Sequence, residues 1–203
     1  MKKQVTFFPR PRDVELFHEI LVSQRGERGY TSRGLVQGSI EWARTQVYHF
    51  QPFPSFLQKA AALMYALTTF HPFVDGNKRT ALMTTSYFVY MNGYELQIPE
   101  NAPEFARDLA NRTVDDPRHT PSLEVMRIAE WLKDNLSHSV LARLQYVAAA
   151  QRVERLGYRG DILYEPRLIW GTNPIWAKLG LRRTSRSEWL WRTLKTFSGL
   201  LRQ

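Results

Sequence analysis

Apolar residues crowd the middle of the chain at a density the flanks do not reach. Ser55 is placed to cap a helix running to about residue 70, and apart from Gln58 and Lys59 that stretch is apolar nearly all round: Phe56, Leu57, Ala60, Ala61, Leu63, Met64, Ala66 and Leu67. A second such helix is predicted over 77–91, with Ala81, Leu82, Met83, Tyr87, Phe88, Val89 and Met91, and it stops at Asn92-Gly93. Helices without a polar face belong in a core. The two must therefore pack on each other and on the rest of the chain, and the loop at 71–76 is held between two buried elements.

Around this pair the pattern is amphipathic. Residues 13–24 read as a helix with Asp13 at its N-cap and Val14, Phe17, Ile20 and Leu21 at helical spacing. A Gly- and Arg-rich loop is expected over 25–38 and a helix over 39–48. Two prolines make 49–55 irregular. Helices over 102–112 and 122–135 follow, split by the turn-rich Asp115-Asp-Pro-Arg118. Nothing in the first 136 residues alternates long enough for a substantial sheet, so the expected fold class is all-α.

The loop between the two apolar helices carries the chemistry: His71-Pro-Phe-Val-Asp-Gly-Asn-Lys-Arg79. Gly76 permits close backbone approach, and Asn77 opens a helix whose first amides lack intrahelical partners, which makes an anion site. Lys78 and Arg79 place two cations in a first turn where the helix dipole disfavours them, so they suit a ligand better than the helix. Asp75 stands where a Mg²⁺ would bridge a carboxylate and phosphate oxygens. His71 is a general base suited to neutral pH. Together the parts suit moving a phosphorus-containing group from a nucleotide to a hydroxyl. Taken singly, each is more often structural: a His-Pro helix end, an Asp-Gly-Asn turn, a solvated Lys-Arg pair. Their fixed spacing between two helices sets them apart.

That string, continued by Thr80-Ala-Leu82, resembles the signature of the Fic/Doc (Fido) proteins and specifically the Doc (death-on-curing) branch. Lys59-Ala-Ala-Ala-Leu-Met-Tyr-Ala-Leu67 before it and Asn92-Gly-Tyr94 after it are similar to the same branch. The likeness covers roughly residues 10–136. It implies a Fido-type helical bundle, with His71 taking the proton of a target Ser, Thr or Tyr hydroxyl and Asp75 holding Mg²⁺. It further implies that Gly76, Asn77, Lys78 and Arg79 bind the phosphates of ATP, that Phe73 anchors the loop, and that 48–54 forms a flap aligning the target. Fic AMP-transferases typically carry Gly at the place of Lys78 and a second Arg at the place of Leu82. The departures resemble Doc, and so imply phosphoryl rather than adenylyl transfer, with His71, Lys78 and Arg79 as the catalytic set. Adenylyl transfer on the same scaffold is the first alternative. An idle Fido domain serving as a binding module is the second, although the intact His71, Asp75, Asn77 and Arg79 argue against idleness.

Composition bounds the rest. The 203 residues contain no cysteine, which excludes disulfide scaffolds, thiolate zinc sites and thiol nucleophiles. The longest uncharged runs, 60–74 and 80–94, contain Thr and Tyr and fall short of the roughly 20 apolar residues of a membrane span. A cytoplasmic protein without membrane contact is expected. The net charge of +9 is concentrated beyond residue 136: 12 Lys+Arg against 4 Asp+Glu, with four of the six tryptophans. A catalytic domain over 1–136 and a basic extension over 137–203 follow, the latter with helices over 139–156 and 187–201 and an extended piece over 161–170. Three roles suit the extension: a nucleic-acid patch, a docking surface for an acidic antitoxin or target, or a helical subdomain packed on the core. Self-inhibited family members carry Ser/Thr-x-x-x-Glu-Gly/Asn, and the stretches at 120–124 and 184–188 lack its last residue. A Doc-like toxin would then be restrained by a separate antitoxin, and its target would resemble Doc's, a translation GTPase.

Overall fold

The computed structural model describes residues 5–165, apart from 25, 49 and 116–119. In chain order these form β1 (Thr6–Phe8), α1 (Pro11–Gln24), α2 (Arg33–Arg44), α3 (Phe56–Thr69), α4 (Asn77–Met91), β2 (Tyr94–Leu96), α5 (Ala102–Asp115), α6 (Pro121–Asn135), β3 (Leu136–His138), α7 (Val140–Arg155) and β4 (Asp161–Leu163). The fold is all-α, with strands of three residues each.

Helices α3 and α4 are the axis of the molecule. Ten consecutive residues of α3, Lys59 to Thr68, are buried. Helix α4 is buried from Thr80 through Val89. Helices α2 and α6 pack on α3, while α1 packs on α4. Ser55 caps α3 as a full capping box: its hydroxyl accepts from the Gln58 amide, and the Gln58 side chain accepts from the Ser55 amide. Asp13 lies inside α1 rather than at its cap, and its buried carboxylate reaches back to the Arg10 amide and guanidinium.

Helix α2 begins six residues before its expected start and ends four residues before its expected end. It buries only Val36, Ser39, Ile40 and Ala43. The glycines at 34 and 38 mimic a loop in the sequence, but packing of that stripe on α3 outweighs their unfavourable propensity.

The described part of the extension is stitched to the core. Strand β3 pairs antiparallel with β2, Tyr94 opposite His138. Strand β4 pairs in parallel with β1, Thr6 opposite Asp161. Tyr146 of α7 is buried and donates its hydroxyl to the Val5 carbonyl. The Lys59 ammonium is buried against the Asp161 carboxylate, which also accepts from Gln51. The helix expected over 139–156 is α7. The end of the piece expected over 161–170, and the helix expected over 187–201, lie outside the described residues. Among those described, no helix is long and apolar enough to cross a membrane.

Candidate functional site

Helix α3 ends at Thr69, with Phe70 as its C-cap. The next residue, His71, has φ +48°. A left-handed residue just past a helix end is common, but glycine is the residue that adopts it without cost. Pro72 restricts it further. A histidine held there by its surroundings is a strained position, of the kind that concentrates at functional sites. The imidazole is exposed and hydrogen-bonds no described residue.

The loop is then clasped. Asn77 is buried, and its side chain reads both backbone groups of Phe73: Oδ1 accepts from the Phe73 amide at 3.0 Å, and Nδ2 donates to the Phe73 carbonyl at 2.7 Å. The Phe73 ring is buried as the loop's anchor. From the other side the segment after α1 runs along the loop. The Thr31 amide donates to the Pro72 carbonyl and the Val74 amide to the Gly29 carbonyl, with Tyr30 bridging Phe73.

Gly76 is the N-cap of α4 at φ +78°. Past it the first-turn amides have no intrahelical acceptors, and the positive end of the helix dipole faces the loop. The Asp75 carboxylate covers part of this end. Its Oδ1 accepts from the Gly76 amide, and Oδ2 accepts from the Glu27 amide and pairs with Arg79 Nη2, both at 3.3 Å. The Asp75 side chain is half-exposed. Such a pair contributes only about 0–1 kcal/mol, so an incoming phosphate can replace the carboxylate on Arg79 at little cost. Lys78 is exposed and forms no ion pair with any described residue. Leu82, one turn on, is buried in the core. Thus Asp75, Gly76, Asn77, Lys78 and Arg79 lie at one helix terminus, and His71, with its imidazole exposed, opens the loop that leads into it.

A Mg²⁺ would find one usable protein ligand here, Asp75. No group of three or more His, Cys, Asp or Glu capable of holding a metal occurs among the described residues. The donor set does not suit an all-protein cage. It does suit Mg²⁺, which keeps its waters and binds through one or two carboxylates plus the phosphates of its substrate.

At the start of the expected flap at 48–54, Val47 and Phe50 exchange both backbone hydrogen bonds at 2.9 Å, with Tyr48 at φ +53°. The Val47, Tyr48 and Phe50 side chains are exposed. Its base is fixed beside the loop, because Phe53 packs on Trp42 and Trp42 contacts Phe70, the neighbour of His71. His49 lies outside the described residues. The inhibitory candidate at 120–124 is structural: Thr120 caps α6, and Glu124 is buried and paired with Arg127. The stretch at 184–188 lies outside the described residues.

Sequence reasoning missed His18. Its ring is buried and stacks on Phe73 at 3.8 Å and 7°, while Nδ1 lies 3.5 Å from Thr80 Oγ1. Burial, and then the nearby Arg79 charge, hold it below the ordinary histidine pKa. Its position was the available signal, since Val14, Phe17, His18 and Leu21 share one helical stripe.

The chain matches the family described as Fic/DOC family over residues 8–89, which takes in α1, the loop and most of α4. It is 32% identical over 93 residues to Toxin Doc of Mycolicibacterium smegmatis, an alignment covering 44% of this chain and 72% of that protein.

Proposed function

This chain belongs to the Fic/Doc family, and from that premise we propose that it is a Doc-like toxin that transfers a phosphate from ATP to a hydroxyl side chain of a target protein. The observation that carries the reading is His71, open to solvent in a left-handed conformation at the start of the loop that leads into α4. In this role Nε2 or Nδ1 of His71 removes the proton of the target Ser, Thr or Tyr hydroxyl as its oxygen attacks phosphorus. The oxygen–phosphorus bond forms as the bond to the leaving nucleotide oxygen breaks. Arg79 and the Gly76 amide leave Asp75 to hold phosphate oxygens, and the amide of Asn77 holds others. Lys78, unpaired with any described residue at the first turn, meets the charge that develops on the moving group. Asp75 would hold Mg²⁺, which when bound neutralises charge on the phosphates.

The choice of phosphoryl over adenylyl transfer is supported at position 82. A leucine packed in the core supplies no second cation for orienting the nucleotide in the adenylyl sense. The exposed apolar edge at Val47, Tyr48 and Phe50 is suited to aligning an extended stretch of the target. Catalysis is assigned to residues 1–136, and residues 137–165 brace that unit. A translation GTPase as target, a separate antitoxin as brake, the cytoplasm as the place of action, and nucleic acid as a partner of the basic extension belong to the same reading.

Expression in a bacterial host tests it. The chain alone is expected to arrest growth, and His71→Ala to relieve the arrest at equal protein level. Arrest undiminished in that variant would defeat the catalytic reading.

A further inference from the structure

Arg79 does not reach the loop through open space. Its guanidinium lies against two glycines that are far apart in sequence. A Cβ added at Gly76 would stand 3.5 Å from Arg79 Nη2. A Cβ added at Gly26 would stand 2.9 Å from the same nitrogen and 2.5 Å from Asp75 Oδ2, closer than real Cβ atoms approach. Both glycines have positive φ, +78° and +137°. The next amide, that of Glu27, donates to Asp75 Oδ2. The segment is held against the site by the Gly29 carbonyl and Thr31 amide, which bond to Val74 and Pro72.

We infer that Gly26 is a positioning residue for Arg79: because it has no side chain it leaves open a slot, bordered on the other side by Gly76, that aims the guanidinium across the start of α4. The Glu27 amide completes the slot by fixing the carboxylate on which the guanidinium rests. The α1–α2 loop is then a wall of the anion site, although it carries none of the signature residues. The assignment of an anion to this site rests on the function proposed above, but the slot itself does not.

The crowding atoms are the far ends of two flexible side chains, so a methyl group at 26 moves them rather than preventing folding. Gly157 serves as the control: it has φ +89° with nothing within 4 Å of an added Cβ, so Gly157→Ala introduces backbone strain without crowding. Two measurements are made on the full chain, with wild type, Gly26→Ala, Glu27→Pro, Gly157→Ala and Arg79→Ala. The first is NMR relaxation of the Arg79 side-chain Nε–Hε group without nucleotide. The second is ATP binding by calorimetry in the presence of Mg²⁺. The guanidinium is expected to be ordered in wild type and Gly157→Ala, and averaged in Gly26→Ala and Glu27→Pro. ATP affinity is expected to fall about tenfold in Gly26→Ala, a fraction of what one charge-assisted hydrogen bond supplies, and further in Arg79→Ala. Arg79 dynamics identical in wild type, Gly26→Ala and Glu27→Pro would overturn the slot, whatever ATP does. An ordered Arg79 that loosens in both variants, in a chain that binds no ATP, would uphold the slot and overturn the nucleotide reading.

Discussion

Two asparagines do the same chemistry at opposite ends of α4, with opposite consequences. Asn77 accepts from the amide and donates to the carbonyl of Phe73, four residues away. Asn92 does the same for Phe7, 85 residues away, and donates also to the Phe88 carbonyl. Each amide side chain stands in for a neighbouring strand. At the far end the imitation closes the open edge of β1, whose Thr6 and Phe8 backbone groups face β4 and whose Phe7 groups do not. There the Asn92 turn, the Lys59–Asp161 pair and Tyr146 join β1 and the extension to the core. At the near end the same two bonds hold a loop with an exposed histidine, a half-exposed ion pair and a strained backbone. A side chain that satisfies a buried backbone group is therefore not by itself a sign of structure or of function. What lies on the other side of the backbone it holds decides the consequence.

The sharpest break between the two ends should come from His71→Gly. It removes the proposed base, so label transfer to a protein acceptor should fall by about 10²–10⁴. It also relieves the left-handed strain, so the urea midpoint should rise, by about 1 kcal/mol in stability. A falling midpoint would contradict the strained-site description.

At that far end Lys59→Ala leaves the largely buried Asp161 without its cation, and should cost about 3–5 kcal/mol in denaturant unfolding. Per folded molecule, transfer should be little changed, since α3 places Lys59 about 20 Å from His71 at 1.5 Å per residue.

The two asparagines sharpen the contrast when compared directly. Asn92→Ala orphans the Phe7 amide and carbonyl and should cost about 3 kcal/mol with modest loss of transfer. Asn77→Ala frees the loop and should cost about 1–2 kcal/mol, while transfer collapses. Equal splits between stability and activity in the two variants would dissolve the distinction.

The smallest effect is on acid stability. The native pKa of His18 lies below the ordinary value of 6.5, so the unfolded chain binds the extra proton first. Stability is then full above 6.5 and falls as pH drops below it. His18→Phe keeps the stack on Phe73 and removes the proton site. Its acid limb should therefore be flatter than that of wild type in pH-dependent melting. Parallel limbs would refute the contribution.

Much of this was legible because it is local. Ser55 with Gln58, and Asn92-Gly93, mark helix ends within a few residues, and the continuous apolar faces of α3 and α4 announce a core. The residues at 71–79 are contiguous, so the chain alone brings them to one loop. What the sequence hid is what the tertiary fold supplies. Strand β1 has three residues and finds its partner 155 positions later, and no alternation of that length can be recognised. Gly26 and Glu27 belong to a stretch that reads as plain loop, and His18 to an ordinary amphipathic helix. Their closeness to Asp75, Arg79 and Phe73 depends on α1 packing against α4.

The central claim, a nucleotide's phosphates at the start of α4 with His71 activating a protein hydroxyl, is tested most directly by incubating the purified chain and Mg²⁺ with a cell extract and either γ-labelled or α-labelled ATP. A protein band labelled from the γ position, absent with His71→Ala, is the expected result. Label transferred from the α position alone, or none from either, would contradict it.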